Sequence, residues 1–348
     1  MQQTSAGVDA PRVHIITDSA SDLVQGELEG ISAVVPLSIA FGDEEYLDGV
    51  DLSHHRFYEK LVESDELPRT SQVTPFTFSQ VIEGVLGAPD AGGSDEAAVI
   101  TLSAKLSGTH ESALAAAQAW GGRVHVVDST NVTIGQKALA AYAVRLAKQG
   151  MSAARIASEL DDAKGRIRLV ALLDTLEYLQ KGGRISKTAA FAGGVLSIKP
   201  VVAIQDGAVA VLGKARGSKK GNNLLIQQVK EAGGIDFDMP FFLGYTGLGD
   251  DLVRKYVEDS RELWEGHVES VGYSTVGGTI GTHVGPGAVA LAFFPTQRRP
   301  VRPAFSPGRV PPRLRCLGFF ISGRARNAIG DSRNLFAAVL VAYASIRV

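Results

Sequence analysis

Three short stretches place hydroxyl groups where a small anion could be held: Asp18-Ser19, Thr70-Ser71 and Ser107-Gly108-Thr109. Each stands at the start of a helical pattern, and Asp18 and Ser107 also follow apolar, strand-like runs. The free N–H groups of a helix start attract a carboxylate or phosphate. Ser107 and Thr109 can each donate an O–H, and Gly108 lets backbone approach closely. The chemistry offered is recognition of one anionic group by neutral donors. Ser, Thr and Asp are also the ordinary helix caps, so each stretch has a purely structural reading beside the binding one.

Other polar residues fall in loops. His283 lies in 277-GGTIGTHVGPGA-288, read as a glycine-rich loop, where it could reach an anion or make a loop hydrogen bond. Arg184 and Arg216 stand in 181-KGGRISK-187 and 213-GKARGSKK-220. They are either solvated charges or guanidinium forks for phosphate or an acidic partner. Absent motifs narrow the field. There is no Gly-x-x-x-x-Gly-Lys-Ser/Thr phosphate loop, no Gly-x-Gly-x-x-Gly after the first strand and no Gly-x-Ser-x-Gly elbow. The histidines show no metal-ligand spacing: His54 and His55 are adjacent, and His14, His110, His125 and His267 are scattered. No metal and no cofactor are expected.

The elements that must position these residues alternate. Val13–Thr17, Val34–Phe41, Ala97–Leu102 and Val124–Val127 read as strands. Between and after them, helices are expected from Ser53, from Thr74-Pro75, over Ser112–Trp120 and over Ile134–Lys148. That order implies a mainly parallel sheet covered by helices. In the second half, Ser152–Ala163 is a linking helix and Leu169–Leu173 a strand. Gln205-Asp206-Gly207 marks a hairpin between Lys199–Ile204 and Ala208–Lys214. Helices over Asn222–Glu231 and Asp250–Leu263 alternate with strands over Phe241–Tyr245, Val268–Tyr273 and Ala288–Phe294. The fold class expected is two-domain α/β: a mainly parallel sheet flanked by helices in the first domain, a mixed sheet with helices in the second. The divisions are 1–12 as an N-terminal extension, 13–160 and 161–295 as the two domains, and 296–348 as a tail.

Composition agrees with a soluble globular chain. Of 348 residues 45% are hydrophobic and the formal charge is −2, which exerts no general pull toward nucleic acid or anionic lipid. No apolar run reaches the ~20 residues of a membrane span, so no stable membrane insertion is expected and the cytoplasm is the expected location. The single cysteine, Cys316, excludes an intrachain disulfide framework. The stretch after Pro295 is different: arginine- and proline-rich, with Asp331 its one acid. It is read as a mostly disordered, non-domain extension. The competing reading is a basic arm for a polyanion or membrane.

The motifs 15-IITDSASDL-23, 70-TSQVTP-75, 106-LSGTHESA-113, 127-VDSTNVTIGQ-136, 176-LEYLQKGGRIS-186, 198-IKPVVAIQDG-207, 213-GKARGSKK-220 and 281-GTHVGPGAV-289 occur in one order over Val13 to Phe294. In this the chain resembles the DegV family of bacterial fatty acid-binding proteins. One departure is Val73-Thr74, which stands before Pro75 where the family phrase reaches proline sooner. The resemblance implies two α/β domains with one long-chain fatty acid buried between them. It also implies a carrier without its own catalytic centre. Such a carrier presents the carboxylate to a separate ATP-dependent fatty acid kinase subunit, for acyl phosphate formation and phospholipid synthesis. Carried over, Thr70 and Ser107 hydrogen-bond the carboxylate, Ser71 and Gly108 adjoin them, and His283 completes the polar end. Arg184 and Arg216 fall in motifs near the kinase-docking or phosphate-handling face. The runs 169–176 and 189–198 are candidate tunnel walls. No nucleic-acid partner and a monomeric state are expected. The rival from another class is a phosphoryl-transfer enzyme acting on a small metabolite. A DNA-binding regulator would rest on the arginine-rich tail alone.

Overall fold

The computed structural model describes residues 11–90, 93–186 and 198–296. The extension 1–10, the tail from 297 on and the candidate wall 189–197 lie outside the described residues.

In chain order the first half runs β1 (Val13–Asp18), β2 (Ile31–Val35), β3 (Ser38–Phe41), β4 (Glu44–Leu47), α1 (His54–Glu63), β5 (Arg69–Ser71) and α2 (Pro75–Leu86). It continues with β6 (Glu96–Thr101), α3 (Thr109–Ala117), β7 (Val124–Asp128), α4 (Thr133–Lys148) and α5 (Ala153–Lys164). Strands β1, β2, β6 and β7 form a parallel sheet in the order β2-β1-β6-β7. Their apolar runs, such as Ile15-Ile16 and Ala97 to Ile100, are fully buried, as expected for strands covered on both faces. Helix starts carry the side-chain caps the sequence signals: Ser53 accepts from Arg56 N–H, Thr74 from Thr77 N–H and Ser152 from Arg155 N–H.

The second half adds β8 (Arg168–Leu172), α6 (Glu177–Lys181), β9 (Ile198–Gln205), β10 (Ala208–Arg216), α7 (Ser218–Ala232) and β11 (Phe242–Tyr245). After these come α8 (Asp251–Asp259), β12 (Tyr273–Thr275), α9 (Gly278–Val284) and β13 (Val289–Phe293). The sheet order is β10-β9-β8-β13-β11-β12, antiparallel except for the β11–β12 pair, so the sheet is mixed. Asp206 and Gly207, at φ of 49° and 78°, make the tight turn of the β9–β10 hairpin.

Helix α4 packs on β1 and β6 and also on β11 and β13. Its small residues Ala138, Ala140 and Ala143 are fully buried and allow close approach. The two sheets share one apolar interior, with Ile16 and Val99 in the same cluster as Leu169, Ile280 and Ala292.

Three sequence-based expectations need revision. A small antiparallel sheet, β4-β3-β5, went unread, and it places Thr70 on a strand opposite Ile39. The expected strand over 268–273 forms instead at Tyr273–Thr275. The glycine-rich stretch around His283 is the helix α9. A Cβ at Gly278 would stand 2.6 Å from Ile39 Cδ1, and one at Gly281 would stand 2.6 Å from Phe57 Cε1. These glycines serve tight packing of a helix rather than loop freedom.

Candidate functional site

Parallel strands of this kind leave a crevice beyond their carboxyl ends where the strand order reverses, here between β1 and β6. The loop leaving β6 is held there through its backbone N–H groups. Leu102 N–H donates to Asp18 Oδ2 (2.8 Å), Ser103 N–H to Asn131 O (2.8 Å) and Ser107 N–H to Ser103 O (3.2 Å). Ser107 and Gly108 are thereby presented at the start of α3. Gly108, the helix N-cap, supplies no side-chain cap.

A cavity of about 270 Å³ opens against this turn. Thr70, Ser71, Ser107, Gly108, Arg184 and His283 all line it. Thr70 Oγ1 and His283 Nε2 are 2.9 Å apart, bringing β5 and α9 together. Arg184 donates from Nε to Leu106 O (3.2 Å) and from Nη1 to Gly182 O (2.7 Å), which fixes the guanidinium beside the Ser107 turn. Arg216 stands exposed at the end of β10 and is not among the lining residues.

Burial, and secondarily the nearby Arg184 charge, push the His283 imidazole down to about 4. It is therefore neutral near pH 7, and its Nδ1 is buried without a hydrogen-bond partner among the described residues. Among the described residues the polar end thus consists of hydroxyls, backbone and a neutral imidazole, with the Arg184 guanidinium, whose N–H groups are partly engaged by carbonyls.

The rest of the wall is mostly apolar, with Gln72, Thr133, Tyr245, Thr246 and Thr279 as polar members. Leu169, Ala171 and Leu173 project from alternate positions of the 169–173 run, and Val202 and Ile204 do the same from β9. Ile280 and Val284 contribute from α9. The run 169–176 was named from the sequence as a candidate wall, although Leu-Val-Ala-Leu-Leu does not say which residues face inward; the parts played by β9 and α9 depend on sheet pairing and went unread.

The other hydroxyl places are structural. Asp18 is fully buried and accepts from Ala20 N–H and Leu102 N–H, and burial raises its carboxyl to about 7. Ser19 Oγ accepts from Leu37 N–H. Thr109 is buried, with its hydroxyl accepting from Val73 N–H and within 3.0 Å of Ser107 Oγ, and it is not among the residues that line the cavity.

Two further carboxylates hold the helix that carries His283. Asp48 accepts from Gly278 N–H (3.1 Å), Thr279 N–H (3.0 Å) and the Thr279 hydroxyl (2.5 Å). Asp22 accepts from Gly277 N–H (2.9 Å) and from the Thr133 hydroxyl. Burial raises the Asp22 carboxyl to about 6, opposed by the Thr133 hydroxyl and His54. Among the described residues no cluster of three or more His, Cys, Asp or Glu side chains could hold a metal ion, and no helix is long and apolar enough to cross a membrane.

The family model described as "Uncharacterised protein, DegV family" matches residues 12–296. A DegV domain-containing protein of Caldanaerobacter subterraneus subsp. tengcongensis is 34% identical over 286 residues, covering 81% of this chain and 98% of that relative. A Thermus thermophilus structure, described as fatty acid binding of a DegV family protein, is 30% identical with a TM-score of 0.71, covering 82% of this chain and all of that one (100%). The B3 protein of the Streptococcus pneumoniae fatty acid kinase, solved loaded with linoleic acid, is similar in fold at a TM-score of 0.70 and 21% identity, covering 82% of this chain and 100% of its own.

Proposed function

The chain belongs to the DegV family, and on that premise we propose that it binds one long-chain fatty acid in the cavity, with the carboxylate at Thr70, Ser107 and His283. The observation that carries the proposal is the composition of the cavity. A cluster of neutral donors stands at one end, and Leu, Ala, Val and Ile side chains form most of the wall. Each buried CH₂ of an acyl chain contributes about 0.8 kcal/mol, so apolar burial dominates affinity and the head needs hydrogen bonds rather than a countercharge. Ser71 and Gly108 adjoin the carboxylate, and Gly108 allows backbone to approach it.

Neutral donors also leave the carboxylate nucleophilic. The chain is proposed as a carrier without its own catalytic centre, a cytoplasmic monomer divided near residue 160, with no cofactor. It presents the acid to a separate ATP-dependent kinase. There a carboxylate oxygen attacks the γ-phosphorus, ADP leaves, and the acyl phosphate formed feeds phospholipid synthesis. Arg184 lies beside the carboxylate end, on the side proposed for phosphate handling, and Arg216 belongs to the proposed kinase-docking surface.

The test is a titration of the delipidated chain with a fluorescent polyene fatty acid, followed by displacement with palmitate. Saturable one-to-one binding reversed by palmitate is expected; no saturable binding contradicts the proposal.

A further inference from the structure

Ser107 and Gly108 reach the cavity from a turn, and the residue that organises this turn does not line the cavity. Ser103 is fully buried and is not among the lining residues. Its N–H donates to Asn131 O (2.8 Å), and its carbonyl accepts from Leu106 N–H (3.0 Å) and Ser107 N–H (3.2 Å). Its side chain adds two contacts. Oγ donates to Gly207 O (2.7 Å) and accepts from Lys105 N–H (3.3 Å). A hydroxyl has one proton to give, and this one is committed to Gly207.

Gly207 stands at the tip of the β9–β10 hairpin, 104 positions further along the chain. A Cβ there would lie 2.6 Å from Ser103 Oγ, so a glycine is what lets the hydroxyl reach the carbonyl. The same turn is held a second time by Arg184, which donates from Nε to Leu106 O (3.2 Å). Two elements of the second half of the chain therefore fix where the turn lies. Arg184 also lines the cavity, so its removal alters the ligand's surroundings directly. Ser103 does not, and its influence on a ligand passes through the lining members of the turn, Leu106, Ser107 and Gly108. Of these only Ser107 has a side-chain donor.

Resting on the fatty acid reading above, we infer that Ser103 is a positioning residue for the carboxylate site: the bridge from its hydroxyl to the tip of the β9–β10 hairpin sets the turn on which Ser107 meets the ligand. Without the bridge the turn keeps its backbone contacts but gains freedom. The Ser107 hydroxyl must then be ordered at the moment of binding, which weakens the hydrogen bond it gives.

The experiment is a double-substitution cycle on the full chain, delipidated, read by displacement of a fluorescent polyene fatty acid with palmitate, with folding checked by thermal melting. Ser103→Ala is expected to weaken binding roughly fivefold, short of the roughly tenfold expected for Ser107→Ala. In the Ser107→Ala background the same substitution is expected to change affinity by less than about twofold, because the group it positions is gone. Gly207→Ala displaces the bridge from its other partner, leaves every lining residue in place and is expected to give the same pattern; it decides the question if Ser103→Ala does not fold. A folded variant that binds like the wild type, or one that loses about fivefold in both backgrounds, overturns the positioning role and leaves the fatty acid reading standing. A wild type that takes up no fatty acid overturns both.

Discussion

Thr70 Oγ1 and His283 Nε2 lie 2.9 Å apart although 213 positions separate them in the chain, and Ser107, from a third element, lines the same cavity end. The contact joins the small antiparallel sheet to α9 and makes one polar surface from residues that are inert apart. Removing its hydroxyls tests that surface. Thr70→Val and Ser107→Ala are each expected to weaken fatty acid binding roughly tenfold, the loss of one hydrogen bond to a charged acceptor. Displacement titration reads the effect, and thermal melting is expected to change far less.

His283 supplies a pH signature. Its imidazole is held at about 4 in the fold against the ordinary 6.5, so the unfolded chain binds more protons between those values. Its neutral form therefore favours folding fully above pH 6.5, and that contribution is lost as pH falls toward 4. Asp18 and Asp22, raised to about 7 and about 6, act in the opposite sense: their contribution is lost as pH rises through those values. Comparison with His283→Gln separates the two, since the aspartates are common to both chains. Between pH 7 and pH 5 the wild type is expected to lose about 2 kcal/mol relative to the variant. Denaturant titrations at both pH values measure it, and parallel curves would contradict the assignment.

Two glycines at the site are expected to respond differently to alanine. At Gly182 a Cβ would lie 2.2 Å from His283 Nδ1 and 3.1 Å from the Tyr178 carbonyl oxygen, so the imidazole must move. At Gly108 it would lie 2.1 Å from Gln72 Oε1, the far end of a flexible side chain that can swing away. Gly182→Ala is expected to weaken fatty acid binding more than Gly108→Ala, and the reverse order in the displacement assay would contradict this.

Asp48 anchors α9 through two backbone N–H groups and the Thr279 hydroxyl, all buried. Asp48→Ala leaves these donors unpaired and is expected to destabilise the fold by roughly 3 kcal/mol. The check is the shift in denaturant midpoint; a stability within about 0.5 kcal/mol of wild type would show that the anchor carries little.

Much of this was legible in the chain because the signals are local. The Ser107-Gly108 turn follows a strand and opens a helix, and the Asp206-Gly207 hairpin is marked by its own two residues. The nature of α9 was not legible. Glycines at 277, 278, 281 and 285 read as a loop, because the forces that fold them come from Asp22, Asp48, Ile39 and Phe57, hundreds of positions away. The β3–β4–β5 sheet was missed for the same reason: Glu44–Leu47 and Arg69–Ser71 are short and mostly exposed, without an apolar pattern. Thr70 was singled out as a helix-start hydroxyl and proves to be a strand residue that faces the same cavity. Thr109 was read as one of two possible donors to the anion; its hydroxyl is instead buried between Val73 N–H and Ser107 Oγ, a placement set by the segment that follows β5, which is remote in sequence.

The most direct measurement is native mass spectrometry of the purified chain, followed by extraction and identification of what it carries. One C14 to C18 fatty acid per chain, exchangeable for added fatty acid, is the expected result, the size suited to a single small-ligand cavity. A chain that carries none and takes up none when offered, yet retains a phosphorylated metabolite, would contradict the carrier and point to phosphoryl transfer.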